Sequence, residues 1–581
     1  MSKKRRSIKY QHIIQFVLLL AIIIFANILA AIFFTRFDLT DDNRYTVSKP
    51  TIELLRSIKE PVLFKVYLDG DMPASYKHLR NETKELLQEF KAYNNKNILF
   101  EFIDPNSEPN RERRNNLHKQ LLNKGLMPRN ISTKDKGKVS NQVIFPGAIV
   151  THKGKELPMA IFKNQLGKQE PEIINNSIQQ LEYTIASTLK SITTDKKRSV
   201  AFTYGHGELR GIRTAWAQYA LSQFYQVDFV KLDGNGHRLF NIDPKDSVTF
   251  KIKYDALIIA KPDSFFQKKD QFLLDQYIMH GGKVLWLIDP VYASLDFLQD
   301  TNAMLAYRLD LNLNEQLFHY GVKLNTDLIR DLNSIYLPLN VQPAGSQPKF
   351  DWFPWPFSPL LTPKSDHPIV KNVSDIKTEF ISSIDTVELP GVKKTILLST
   401  SKQSRRDRTP VPIDMRMMLE EQNKRLYSDA YIPVAVLLEG RFNSFFKNRF
   451  TPRDADNDLI ALEESKPTKM IVVADGDVIK NQSRKDEQGQ IVPLPLGFDQ
   501  FSGVQFGNDD FLLNAVNYLL DDSGLLEARK KEFRMRPLDK QKINDPPTVF
   551  IYKIVNVLVP ILLIVIMAIV VLLLKKRRYA L

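Results

Sequence analysis

Apolar positions along the chain fall into unbroken runs at the two ends and patterned runs between them. The unbroken ones are HIIQFVLLLAIIIFANILAAIFF (12–34) and IVNVLVPILLIVIMAIVVLLL (Ile554 to Leu574), 23 and 21 residues long. At about 1.5 Å per residue the first reaches roughly 34 Å as a helix, enough for a hydrocarbon core of about 30 Å. The pattern predicts transmembrane helices over 12–34 and 549–574, with a membrane-proximal linker at 526–548. A cleaved signal peptide would carry an apolar stretch of only about 7–15 residues. The first run therefore reads as an uncleaved anchor.

Between the anchors the periodicity changes from block to block. Over 45–195, the strand VLFKVYL (62–68) precedes a helical pattern at Leu79, Thr83, Leu86, Leu87, Phe90 and Tyr93. Next come ILFEFI, a polar helix near 110–124, the strand pair QVIFPGAIVT and LPMAIF, and a long helix. That helix sets Ile174, Ile178, Leu181, Ile185, Leu189 and Ile192 at three- and four-residue spacing, a single apolar stripe. The order β-α-β-α-β-β-α predicts a thioredoxin-like domain. Over 198–525, the apolar strands SVAFTY, YDALIIA, KVLWLI, TILLST, PVAVLLEG and MIVVAD alternate with helical patterns. Such runs predict a doubly wound, parallel α/β sheet covered on both faces, carrying loop insertions. One insertion, Leu337–Pro368, has eight prolines and the run FDWFPWPF. It is expected to be neither helix nor central strand. Its aromatics Trp352, Phe353, Trp355 and Phe357 either pack on their own domain or form an exposed docking surface. The stretches 402–430 and 480–495 read as solvated loops.

The charge of +15 raises the question of nucleic acid, but +9 of it lies in the tails 1–11 and 575–581. What remains is too dilute for a phosphate-neutralising patch, so no nucleic acid is expected. Both basic tails are expected to be cytoplasmic, which puts the bulk of the chain on the periplasmic face of an inner membrane. A basic cluster from Arg529 to Lys542 precedes the second span, but acidic residues dilute it. There are no cysteines, so thiol redox chemistry, disulfides and cysteine nucleophiles are excluded.

Tests for other chemistry give little. The Gly-Lys pairs at Gly137, Gly154, Gly167 and Gly282 are followed by Val139, Glu156, Gln169 and Val284, never the Ser or Thr of a phosphate loop. Gly205, His206, Gly207 and Glu208 follow the strand SVAFTY, where a sharp turn or a ligand contact is expected. His206 and Glu208 could form an acid–base pair, but no nucleophile accompanies them and no G-x-S-x-G elbow is present. Asp475-Gly476-Asp477 reads as a turn, with Mg²⁺ binding as the weaker alternative. No catalytic residue, metal ligand or cofactor is expected.

In order along the chain stand Asp38-Leu39-Thr40, Arg44-Tyr45-Thr46, the Gly205–Glu208 turn, Leu274-Asp275-Gln276-Tyr277 and Leu287-Ile288-Asp289-Pro290. Leu438-Glu439-Gly440, Ala474-Asp475-Gly476-Asp477, Phe506-Gly507-Asn508 and Leu538-Asp539-Lys540 follow. With the terminal spans, this series resembles the GldG family of gliding-motility-associated ABC transporter accessory proteins of Bacteroidetes. The resemblance implies a non-enzymatic auxiliary subunit that works with an ABC permease subunit and a separate ABC ATPase subunit. Self-association into a homo-oligomer is compatible with it. Asn27 and Asn556, amides within or near hydrocarbon, are expected to face protein partners rather than lipid. Two rival expectations stand: a periplasmic protein binding saccharide or peptide, and a hydrolase-like enzyme using the 205–208 turn.

Overall fold

Short apolar strands with alternating burial open the first block. Val62–Val66 (β1) buries its first, third and fifth residues. It pairs in parallel with Ile98–Phe102 (β2) and antiparallel with Gly147–His152 (β3). Lys155–Ala160 (β4) closes a four-stranded sheet of order β2-β1-β3-β4. Because successive side chains in a strand point to opposite faces, Ala148 and Val150 of β3 enter one core and Ile149 another. The first core also receives the helices Ala74–Tyr93 and Glu170–Thr193, the latter through Ile174, Leu181, Ile185 and Leu189. The second receives Leu121 from the helix Arg111–Asn123.

The larger sheet has seven strands: Ser199–Tyr204 (β5), Gln226–Lys231 (β6), Ala256–Ala260 (β7), Lys283–Leu287 (β8), Val392–Ser399 (β9), Pro433–Gly440 (β10) and Thr468–Val473 (β11). Their order is β9-β10-β11-β8-β7-β5-β6. The five strands from β11 to β6 run parallel, but β10 and β9 add antiparallel at one edge, which corrects the all-parallel sheet expected for PVAVLLEG and TILLST. All five residues of β7 are buried, as expected of a strand covered on both sides. On one face Val200, Phe202, Ile258, Leu285 and Ile471 pack with the helices Ala215–Ser222 and Asn508–Leu520. On the other, Leu257, Ile259, Trp286 and Val472 pack with Lys268–Met279.

The proline-rich insertion is a correction to the sequence reading. Phe350–Leu361 is a strand, and it lies between Ser334–Asn340 and Ile376–Lys377 in a three-stranded sheet. Its prolines are tolerated because each stretch meets one neighbour. Phe350–Pro354 and Pro359 face Ser334–Asn340, while Leu360 and Leu361 face Ile376–Lys377. The residues between, Trp355 to Ser358, have no ladder partner in that register. Four further segments expected to be loops, Ser404–Arg408, Val411–Asp414, Ser483–Lys485 and Ile491–Pro493, are also strands.

The computed structural model describes residues 13–25, 46–135, 138–163, 169–194, 197–243, 246–342, 347–419, 422–452, 461–486, 488–521, 523–530 and 545–579. Contacts divide the chain into Val47–Lys531 and a unit of Met1–Thr46 with Glu532–Leu581. In the latter, the helix Pro546–Tyr579 runs through Pro560, and its Pro546–Leu574 part is long and apolar enough to cross a membrane. Asn556 is exposed on it. Ile13–Phe25 is a shorter apolar helix. Asn27, the remainder of the 12–34 run and the N-terminal basic tail lie outside the described residues.

Candidate functional site

In an open parallel sheet, ligands gather at the carboxyl ends of the strands where the winding direction reverses. Here the chain moves from β5 outward to β6, then crosses to β7 and on to β8. The reversal point is therefore the gap between β5 and β7. Gly205–Glu208 leaves β5 there, and Lys261–Ser264 leaves β7.

The two loops fill that gap. The His206 carbonyl accepts from the backbone N–H of Asp263 at 3.0 Å and of Ser264 at 3.1 Å. Gly205 and Gly207 have φ of 131° and 74°. A Cβ on Gly205 would stand 2.6 Å from the Leu232 carbonyl oxygen, so a side chain there would collide with backbone. His206 and Glu208 are only 4% and 5% exposed. The His206 ring lies flat on Phe266, with centroids 3.8 Å apart, and its Nε2 donates to Asp270 Oδ2 at 3.2 Å. Glu208 accepts from the His206 backbone N–H at 2.7 Å and from Thr203 Oγ1 at 3.1 Å.

Burial opposes charging of His206, but Asp270 and Glu208 outweigh it and raise its pKa to about 9. The Glu208 carboxylate stands 3.9 Å from Nδ1, too far for a hydrogen bond, so it acts by charge. Glu208 is in turn held below the usual carboxylate range, with its own burial overcome by hydrogen bonds and the imidazolium charge. An acid–base catalyst needs its ring free to meet a substrate. This imidazolium is stacked and paired inside the protein, and the motif locks a turn.

A second cluster at the same edge was expected only in part, as the Asp475-Gly476-Asp477 turn without its lysine partners. Lys261, Asp289 and Asp475 sit just beyond the ends of β7, β8 and β11. Lys261 Nζ donates to Asp289 Oδ2 at 2.9 Å and to Asp477 Oδ2. The approach requires Gly476, where a Cβ would meet Lys261 Cβ at 2.4 Å. Asp475 accepts backbone N–H groups from Asp477 at 2.7 Å and Glu379 at 3.1 Å. Lys480 Nζ reaches Asp296 at 3.2 Å, with Asp477 at 3.7 Å and Glu379 at 3.9 Å.

Two lysines thus face four largely buried carboxyls: Asp289, Asp475, Asp477 and Glu379. Burying that excess of negative charge is costly and favours the neutral form of some of these carboxyls. Burial pushes Asp475 well above the usual range and raises Asp289 and Glu379. Asp477 goes the other way: its burial is outweighed by the Lys261 and Lys480 ammoniums, which hold it below the usual range. Lys261 is raised well above its ordinary value because the two aspartates overcome its burial. Oxygens of Asp289, Asp475 and Asp477 lie within 4.8 Å of one another and could hold a cation. The Lys261 ammonium occupies that role for two of them, and backbone N–H groups take both oxygens of Asp475. Beside the network opens a polar cavity of about 360 Å³, bordered by Arg213, Lys377, Glu379, Asp477 and Lys480.

The aromatic segment does not form one surface. Trp355 and Phe357 are buried in the insertion core with Phe380, whereas Trp352 is 48% exposed and Phe353 partly buried. Exposure of all four as a docking face is thereby corrected: the strand is partly exposed as far as Pro354 and buried from Trp355 to Pro359.

Comparison with known proteins places this architecture. The family model described as an ABC-type uncharacterized transport system matches residues 197–515, more than half of the chain. The chain belongs to this family. It spans the seven-stranded sheet, the filled turn and the charged network, and it makes an accessory role in ABC-type transport the setting for them. A model of a domain of unknown function matches residues 41–151. An uncharacterized protein of Borreliella burgdorferi is 21% identical over 438 residues, which is 74% of this chain and 77% of that protein. Among solved structures, the mmIFT52 N-terminal domain is 14% identical with a TM-score of 0.30, covering 56% of this chain and 98% of its own. That likeness is too low to carry an argument. Membership of an accessory transport family is consistent with a protein that is not an enzyme.

Proposed function

We propose that the chain is a non-enzymatic auxiliary subunit of an ABC transporter complex of the GldG type. In this reading it works with a separate permease and a separate ATPase in gliding motility. The observation that carries the reading is the family match over a sheet whose ligand crevice is filled by its own loops. A domain that has closed that crevice with a stacked imidazolium is built to hold shape and present surfaces.

The proposed organisation keeps two ectodomain blocks, 45–195 and 198–525, on the periplasmic side of the inner membrane. The order β2-β1-β3-β4, with β1 and β2 parallel and the other two antiparallel, supports the thioredoxin-like reading of the first block. Helices over 12–34 and 549–574 anchor the chain with both tails cytoplasmic, and Asn27 and Asn556 face the permease. Energy comes from the ATPase partner, and the basic tails lie against anionic lipid.

The anchors provide the test. Replacing both spans with plain Leu/Ala helices is expected to leave the ectodomain exported and folded while permease co-purification is lost. Retention of the permease would move assembly to the ectodomain and reduce the spans to tethers. Labelling of a cysteine introduced at Gly489 solely from the cytoplasmic side would overturn the topology.

A further inference from the structure

A cavity of about 740 Å³ opens beside the seven-stranded sheet. Its wall runs from Val392, in the rung Val392↔Gly440 at the amino-terminal end of the parallel strands, and Arg441 just beyond it, to Asn325 and to Arg308, which pairs with Val291 past the carboxyl end of β8. None of its lining residues belongs to the charged network or the filled turn, and its volume lies within the range of about 300–1,000 Å³ typical of small-molecule sites.

The wall has two chemistries. Arg308, Lys323, Arg441 and Arg449 line it against a single acid, Glu315. Phe318, Leu389 and Phe442 supply apolar surface. The cations are loosely held. Arg449 stands 3.4 Å from Glu315, Arg441 3.8 Å from Glu464 and Lys323 3.9 Å from Asp385, all in exposed pairs of the kind that contribute little. Among the described residues, no carboxylate lies within ion-pair reach of Arg308. His319 borders the same space, and its Nε2 is buried without a hydrogen-bond partner. A guanidinium fork matches the paired oxygens of a phosphate or carboxylate better than a distant single contact does.

We propose that this cavity binds a small amphipathic organic anion. Its phosphate-, sulfate- or carboxylate-type head is held by Arg441, Arg449 and Lys323, and its apolar body lies against Phe318 and Leu389. The inference is independent of the transporter assignment, because it concerns a cavity that needs neither permease nor ATPase.

Phenyl phosphate is a suitable probe, titrated calorimetrically into the full-length, detergent-solubilised chain, with benzyl alcohol as the uncharged control. Saturable binding of phenyl phosphate and none of benzyl alcohol is expected. Arg441→Ala/Arg449→Ala should weaken it by at least about tenfold, whereas Glu315→Gln, which releases Arg449, should tighten it by about threefold. Leu389→Trp fills the cavity without touching its charge and should also abolish binding, so the result does not depend on the arginine variant folding. Lack of saturation at about 10 mM, equal binding of benzyl alcohol, or an affinity unmoved by both Leu389→Trp and Glu315→Gln would overturn the proposal.

Discussion

Replacing Lys261 with methionine keeps the length and packing of the side chain and removes one charge. In the native protein that ammonium touches Asp289 and Asp477, and Asp477 is the carboxylate it keeps ionised. Asp477 is 7% exposed and Asp289 5%. Removing one partner of a buried ion pair leaves an uncompensated charge, at a cost of about 3–5 kcal/mol. Such a loss is a large fraction of the 5–15 kcal/mol, roughly, that holds ordinary domains together. The pH dependence adds a sign. Native Asp477 has a depressed pKa, so it contributes stability above the unfolded carboxylate value that is lost as pH falls through its folded pKa. Without Lys261 the buried carboxyl is raised instead, and the variant regains stability by protonation as pH falls. The deficit should therefore be larger at pH 8 than at pH 5. Urea unfolding of the full chain, followed by tryptophan fluorescence, measures it. Lys261→Met/Asp477→Asn should recover part of the loss at pH 8. A deficit below about 1 kcal/mol, or one equal at both pH values, would refute the buried network and make this an ordinary surface pair.

The same unfolding assay applied to His206 should show stability fully present below pH 6.5 and declining through about pH 9, because its folded pKa is raised. A shift of that size corresponds to about 3 kcal/mol, and His206→Gln should flatten the decline; an unchanged profile would contradict the buried imidazolium. Trp355→Ala should cost about 3–5 kcal/mol, since the ring is 0% exposed, whereas Trp352→Ala at 48% exposure should cost less than about 1 kcal/mol. Equal costs would contradict the burial of Trp355.

The strands ALIIA, KVLWL and TKMIVV could be read from sequence because a fully covered parallel strand is apolar on both faces, and the stripe of Glu170–Thr193 because one helix face meets one core. Phe350–Leu361 could not, since prolines in a strand are excluded unless each meets a single neighbour, which depends on partners elsewhere in the chain. Ser404–Arg408 is masked by its polarity: SRRDR pairs with Asp327–Asp331, and Arg330 meets Asp407 across that ladder. In the candidate site, the Gly205–Glu208 turn was visible through its glycines, but its partner Asp270 lies on a helix 64 residues away. The charged network had a partial signal in the ionisable residues just beyond three apolar strands. That Lys261 meets Asp477, 216 residues on, follows from β7, β8 and β11 being neighbours, an order that local patterning does not contain.

An auxiliary subunit without chemistry of its own has to work through partners. Purifying the full-length chain from its native membranes in mild detergent, and identifying what accompanies it by mass spectrometry, tests it most directly. An ABC permease and an ABC ATPase are expected in fixed proportion to the chain, with nucleotide hydrolysis that persists in the His206→Ala variant. Recovery of the chain alone, with a hydrolytic activity that His206→Ala abolishes, would contradict it.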